Sequence, residues 1–266
     1  MNATHTNAPV PPLNPASNSE PQITPAAVYA TIEPAVAGAN QRWIHVRRDT
    51  PAAASTDIAA SILTPVEFYD ALRKRRMVRS FTDQPVDPAV VERILDAARR
   101  GPSAGYSQGV EFVVVTDPRM RDTIARPGDA IFKTSGHKNF VRQAPVHIVI
   151  CCSAEIYRSR YRESDKMRVR SRLTDDELWR VPYWYVDAGA AMMLILLAAI
   201  NEGIAAAFIG VLPQGFRDLL GIPPAYEPVG IALLGHEAPD ARQYGDVSAT
   251  KRPRRPLTDV VHRERW

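Results

Sequence analysis

Cysteine is almost missing from this 266-residue chain: there are two, Cys151 and Cys152, adjacent in the apolar run VHIVICC. Two neighbouring thiols cannot make a disulfide framework or a four-thiolate zinc site, and they read as a reduced, buried strand end. The six histidines show no HxxxH or HxH spacing, so no metal constellation is expected. GxGxxG and GxxxxGK[ST] are absent, which removes the usual signatures of Rossmann and P-loop nucleotide sites. Residues 1–40 contain no Lys or Arg and no apolar core segment, so secretory and mitochondrial targeting readings fail. The longest apolar run, Ala188–Ile200, has thirteen residues and reads as a fully buried core helix, too short to span a bilayer. A reduced, cytoplasmic protein is expected.

What is present is ordinary globular composition, 45% apolar and 23% charged, in a chain long enough to bury its own core. The net charge is +4, but it is local. Residues 73–79 (RKRRMVR) carry +5 and residues 251–255 (KRPRR) carry +4, each without an acid; the remaining 24 Lys/Arg against 29 acidic residues leave the rest at −5. Nucleic-acid binders usually spread charge over a face, whereas two tight knots suit a small multivalent anion. Residues 158–172 hold seven cations together with Glu163 and Asp165, and read as a solvated segment.

Residues 1–60 form a separate regime, with seven prolines in the first forty positions, expected to be extended or disordered. A single folded domain is expected over 61–266. Thr64-Pro65-Val66-Glu67 reads as a capping box opening a helix to about Arg76 that buries Phe68, Tyr69 and Leu72. Asp87-Pro88 opens a second helix with Val91, Ile94, Leu95 and Ala98 on one face, stopped by Gly101-Pro102. Strands are expected at Val110–Thr116, Val146–Cys152, Ala205–Gly210 and Val229–Gly235, the first two buried. A short helix follows Asp117-Pro118, others cover 136–143 and Gly215–Leu220, and a long one covers Asp187–Glu202. Residues 153–182 read as irregular, with one short helix capped at Thr174. Strands and helices do not alternate strictly, which favours an α+β fold.

Five segments carry candidate chemistry. Arg75, Arg76 and Arg79 present guanidinium forks that match phosphate oxygens, or simply a solvated helix end. Residues 101–109 (GPSAGYSQG) contain a literal G-x-S-x-G, but a nucleophile elbow follows a strand and precedes a helix, the reverse of the order here. His236, His262, Asp187 and Asp240 are nominal triad partners that nothing fixes in place. The loop otherwise reads as a polar turn, or as small residues letting backbone approach a flat ligand. Tyr183, Trp184 and Tyr185 precede the apolar helix, as packing or as cover for an aromatic ligand. Gly203–Gly210 and the basic tail 251–257 complete the set.

In order and spacing these segments resemble the FMN-dependent nitroreductase family over residues 64–266, through RRMVRSF (75–81), GPSAGYSQGVEFVVV (101–115), DAGAAMMLILLAAINEGIAAAFIG (187–210) and RRPLTDVVH (254–262). The resemblance implies a three-layer α+β fold, with a mostly antiparallel sheet flanked by helices, in an interlocked homodimer holding two FMN at the interface. It implies that Arg75 and Arg76 hold the phosphate with Arg254 and Arg255. Arg79 would face the flavin N1/O2 edge, Pro102, Ser103 and Gln108 of the other subunit would flank the ring, and the Ile209-Gly210 backbone would donate towards N5. Met77 and Ala104 belong to the same binding segments. Family members usually have Ser where Met77 stands, Asn where Tyr106 stands, and Pro-Trp where Gly109-Val110 stand. The implied activity is NAD(P)H-dependent, ping-pong reduction of small aromatic acceptors, nitroaromatic or quinone-like, with no protein acid or base and no nucleic-acid or membrane partner. Other flavin chemistry on the same scaffold, such as reductive dehalogenation or dehydrogenation, and non-enzymatic flavin storage stay open.

Overall fold

The computed structural model describes residues 66–244 and 251–266. The 1–60 leader, the start of the domain near 61 and the Thr64-Pro65 half of the first capping box lie outside the described residues.

Four strands form one sheet: β1 (Val110–Val115), β2 (Val146–Cys152), β3 (Ala205–Ile209) and β4 (Glu227–Gly235). Their order is β1-β2-β4-β3 and every pairing is antiparallel. β2 is buried at all seven positions, His147 included, as its otherwise apolar sequence leads one to expect. β1 is an edge strand and stays half exposed, unlike the buried strand expected, because only one neighbour covers it. A bulge opposite Ile150/Cys151 admits Pro228, which cannot donate to a regular ladder.

The sheet separates two cores. Val146, Ile148 and Ile150 pack with α2 (Pro88–Ala98) and α8 (Tyr183–Asn201). Val149 and Cys151 pack on the other side with α3 (Pro118–Lys133), α4 (Phe140–Gln143) and α9 (Phe216–Leu220). The result is the expected α+β three-layer arrangement. Each fully buried Ile or Leu contributes roughly 1.5–3 kcal/mol. Both cysteines are free and buried, and burial raises their thiols to about 11 and about 12.

Several local expectations change. The helix after Asp117 is sixteen residues long despite Pro127, because its buried stripe Ile124, Ala125 and Gly128 continues and Asp129 accepts the Val141 and Arg142 N–H groups at 3.0 and 3.2 Å, capping α4. α4 itself starts only at Phe140. Residues 153–182 contain α5 (Ala154–Arg160), α6 (Met167–Arg170) and α7 (Asp175–Leu178), the last with the expected Thr174 capping box. α8 starts four residues early, so Tyr183, Trp184 and Tyr185 form its first turn behind Pro182.

Two helices expose apolar faces expected to be buried. In α1 (Phe68–Lys74) only Ala71 is buried, while Phe68, Tyr69 and Leu72 are 60%, 64% and 40% exposed. α8 buries one face (Asp187, Ala188, Ala191, Ile195) but leaves Val186 and Met193 51% and 39% exposed. An apolar repeat marks which face avoids water, not whether its cover comes from the same chain. By length and composition alone the helical stretch Asp175–Asn201, which ends in α8, would suffice to cross a bilayer; here one side of α8 packs on the sheet.

Candidate functional site

The arginine segment is placed by the end of α1. After Lys74 the backbone extends at Arg75 and runs beside β3, where the Val78 N–H donates to the Ala206 carbonyl at 2.9 Å. Further on, Phe81 bridges to Glu237 and the Ser80 hydroxyl donates to Asp240 at 2.7 Å. The segment is thus a short fifth line along the edge of the sheet. Arg76 is ion-paired with Glu237, and both line a cavity of about 210 Å³ with Lys74 and Val78. Met77 packs against the core. The Nη1 of Arg79 is buried and finds no hydrogen-bond partner among the described residues. A guanidinium nitrogen in that state is costly unless an acceptor arrives. Ile209 ends β3 three residues beyond Ala206, about 10 Å along the strand; it is buried, and Gly210 after it is exposed with open space around its Cα.

The 101–109 loop is built differently. Gly105 at φ 64°, Tyr106 at φ 56° and Gln108 at φ 55° are left-handed. For the two non-glycine residues this costs on the order of 1–2 kcal/mol each, so the loop needs external ties. It has them. The Gln108 N–H donates to Ser103 Oγ at 2.7 Å, the Ser107 hydroxyl to the Ala104 carbonyl at 2.6 Å, and Arg160 Nε to the Gly105 carbonyl at 3.1 Å. The buried Asp187 carboxylate accepts from the Ala104 N–H at 2.9 Å and from the Tyr157 hydroxyl at 2.6 Å. Burial, then this bond, raises the Tyr157 phenol far above its ordinary value. Two tyrosines, one in α5 and one just after it, press on two glycines: a Cβ at Gly109 would lie 2.6 Å from the Tyr157 ring, and one at Gly105 would lie 2.5 Å from the Tyr161 ring. Pro102, Ser103 and Gln108 line a cavity of about 450 Å³ with Arg99, Arg100 and Asp187. Ala104 stands behind them, holding the carboxylate.

Arg254 and Arg255 lie on a terminal segment whose residues 251–266 are all exposed. The Arg255 guanidinium donates to the Asp259 carbonyl, and Trp266, 99% exposed, stacks on His262 at 4.2 Å. Lys74, Arg76 and Val78 line the cavity beside β3, and Pro102, Ser103 and Gln108 line the other; neither of these two cavities takes a residue from the tail. The candidate residues thus fall in three pieces: one beside β3, one beside α8, and one on the tail.

The hydrolase arrangement does not form. Ser103 takes its hydrogen bond from Gln108, Asp187 serves Tyr157 and Ala104, and Asp240 serves Ser80 and Lys138. Among the described residues no three His, Cys, Asp or Glu side chains group to hold a metal ion. Of the cations in 158–172, Arg160, Arg162 and Arg170 are tied to nearby carboxylates, and Arg158 lies 5.6 Å from the centre of the Trp184 ring. Three participants escaped the sequence reading. Asp187 carried a signal, a carboxylate opening an apolar helix. Tyr157 and Glu237 carried none, because their roles depend on partners 30 and 161 positions away.

Comparison with known proteins places these pieces in context. The model of the nitroreductase family matches residues 72–236. A Methanothermobacter thermautotrophicus protein named for NADH dehydrogenase or NAD(P)H nitroreductase activity is 28% identical over 212 residues, covering 77% of this chain and 90% of that one. An NAD(P)H-type FMN reductase of Bacillus subtilis is 29% identical over 203 residues, covering 75% and 74%. The crystal structure of nitroreductase A from Vibrio parahaemolyticus aligns with a TM-score of 0.54 at 26% identity, over 74% of this chain and 75% of that one.

Proposed function

This chain belongs to the nitroreductase family, and from that membership we propose that it is an FMN-dependent oxidoreductase that takes electrons from NAD(P)H and passes them to small nitroaromatic or quinone-like acceptors in a ping-pong cycle. The observation that carries the reading is the buried, unpartnered Nη1 of Arg79 in the segment hydrogen-bonded to β3. It is a fixed cation awaiting an acceptor of negative charge. FMN, when bound, supplies the two-electron chemistry.

The residues of the chain supply binding and electrostatics. Arg75 and Arg76 hold the phosphate, joined by Arg254 and Arg255. Arg79 holds negative charge at the pyrimidine edge of the ring, where preorganised positive charge is worth most. Pro102, Ser103 and Gln108 flank the ring, and the backbone at Ile209-Gly210 orients its far edge. Met77 and Ala104 back the two segments. No side chain is needed as nucleophile or as general base.

The site takes its residues from two copies of the chain. Three features support this: the exposed Phe68 and Tyr69 on α1, the exposed Val186 and Met193 on α8, and the tail exposed along its described length. Exposed apolar side chains on two helices that touch suit an interface. The free, buried thiols Cys151 and Cys152 suit the reducing cytoplasm in which we place the protein.

Purification followed by an absorbance spectrum tests the reading. A yellow protein whose bands bleach on anaerobic addition of NADH or NADPH is the expected result. A protein that stays colourless after incubation with FMN overturns it.

A further inference from the structure

The wall of the 450 Å³ cavity hangs from a buried carboxylate. Asp187 Oδ2 accepts the Ala104 N–H of the loop at 2.9 Å and the Tyr157 hydroxyl at 2.6 Å. Tyr157 also packs its ring on Gly109 at the far end of the loop, where a Cβ would lie 2.6 Å from it. Within the loop the Gln108 N–H donates to Ser103 Oγ at 2.7 Å. The loop is thus held at Ala104 through α8 and at Gly109 through α5.

Both anchors are buried, Tyr157 completely and Asp187 to 5% exposure. An apolar residue would satisfy packing at either place. A carboxylate is tolerated there only because its partners are a backbone N–H and a phenol. Neither partner pair is local, for Tyr157 is 30 positions from Asp187 and Ala104 is 83. The loop so held has two left-handed non-glycine residues and would relax without the ties.

We propose that Asp187 and Tyr157 are positioning residues: together they lock the 102–108 loop in its left-handed form, so that Ser103 and Gln108 present a preset wall to the bound flavin and acceptor. The proposal rests on the flavin reading for what the wall meets, but not for the lock itself. Neither residue exchanges protons or electrons with substrate. Each acts through the loop, lowering the ordering cost of binding.

Amide hydrogen exchange on the FMN-free protein, with wild type, Tyr157→Phe, Asp187→Asn and the double variant, tests the lock. Tyr157→Phe keeps the ring that packs on Gly109 and Trp184 and removes only the hydroxyl. Exchange at Ala104 and Gln108 is expected to speed up about tenfold, the loss of one net hydrogen bond, while Ile148 and Ile150 in β2 stay protected. The double variant is expected to exchange these amides no faster than the more affected single variant, since both changes break the one Tyr157–Asp187 bond. Affinity for FMN, read by fluorescence quenching, is expected to weaken by a similar factor in Tyr157→Phe.

Exchange at Ala104 and Gln108 within twofold of wild type in both single variants overturns the proposal. Equal acceleration across β2 also overturns it, because the pair is then merely part of the core. If Asp187→Asn does not fold, Tyr157→Phe alone carries the test, and exchange at Ala104 within twofold of wild type there counts equally against it. If the exchange result holds and wild type binds no FMN, the lock stands and the flavin reading falls.

Discussion

Arg76 and Glu237 are ion-paired at the wall of the small cavity beside β3. The pair brings the first arginine knot under the control of a carboxylate from the segment after β4. Both side chains are more than a third exposed, so the pair contributes little to folding. Its effect is on the ligand, because a guanidinium already facing a carboxylate is less available to a phosphate. Glu237→Gln is expected to tighten FMN binding by about two- to fivefold, in keeping with an exposed pair worth up to ~1 kcal/mol. Titration of the apoprotein with FMN measures this. An unchanged or weaker affinity in the variant rules out Arg76 as a phosphate ligand.

Arg79 differs from Arg76 in having nothing to give up. Arg79→Met removes a buried donor that finds no partner among the described residues, so the apoprotein is expected to melt no lower than wild type. FMN affinity is expected to fall at least tenfold. The flavin couple is expected to move negative by roughly 30–60 mV, the two-electron equivalent of 1.4–2.8 kcal/mol of lost charge stabilisation. A potential that stays put while affinity falls would place the guanidinium on the phosphate and not on the ring.

The exposed face of α8 makes a prediction about assembly. Met193→Glu sets a charge in the middle of that face, on a side chain that the single chain leaves 39% exposed. The isolated fold is expected to tolerate it, with far-ultraviolet circular dichroism unchanged. Light scattering is expected to show a monomer in place of a dimer, and the monomer is expected to carry no FMN. Removing residues 251–266 is expected to strip FMN as well, while leaving the subunit fold intact. A dimer that persists in Met193→Glu with full flavin content would move the interface elsewhere.

His147 sets an acid limit on stability. Its Nε2 lies 2.8 Å from the Val141 carbonyl and burial pushes it down to about 4 from an ordinary 6.5. The unfolded chain takes up a proton below pH 6.5, whereas the folded chain resists until about pH 4. Stability is therefore full above 6.5 and falls as the pH is lowered towards 4, by about 2 kcal/mol between 6.5 and 5. Asp70, Asp96, Asp165 and Asp240, held below their ordinary 3.8 by arginines, a lysine or a serine, lose their contribution only further down. Urea unfolding at pH 7 and pH 5 checks this. His147→Gln is expected to flatten the slope, and an equal slope in the variant would assign the acid sensitivity elsewhere.

Where a residue's fate depends on its own neighbours, the sequence was readable. VHIVICC is apolar at every position but His147 and β-branched at four of them, the pattern of a strand covered on both faces. Asp87-Pro88 caps α2 within two residues, and the Thr174 box does the same for α7. Legibility failed where distant partners decide. The sequence after Asp117-Pro118 predicts a short helix, yet the helix runs through Pro127 to Lys133, where Asp129 caps another helix, and that bond is invisible before the two helices meet. Phe68 and Tyr69 had the spacing of a buried stripe, and the stripe exists, but the described residues leave it uncovered. For the candidate site, the arginine knots and the glycine loop were found by residue type and order. The tie between Asp187, Tyr157 and the loop was not, because a carboxylate in an apolar helix announces a partner without naming it.

The two glycine–tyrosine contacts, Gly109 with Tyr157 and Gly105 with Tyr161, repeat at a spacing of four on both sides. Neither glycine is free to drift alone, for any larger side chain at either would strike an aromatic ring. Over generations the positions can change only as matched pairs, a methyl gained here against a ring lost there. Homologues that carry bulk at 105 or 109 should therefore show something smaller than tyrosine at the facing place, and by that signature the shape of this loop can be traced through its descendants.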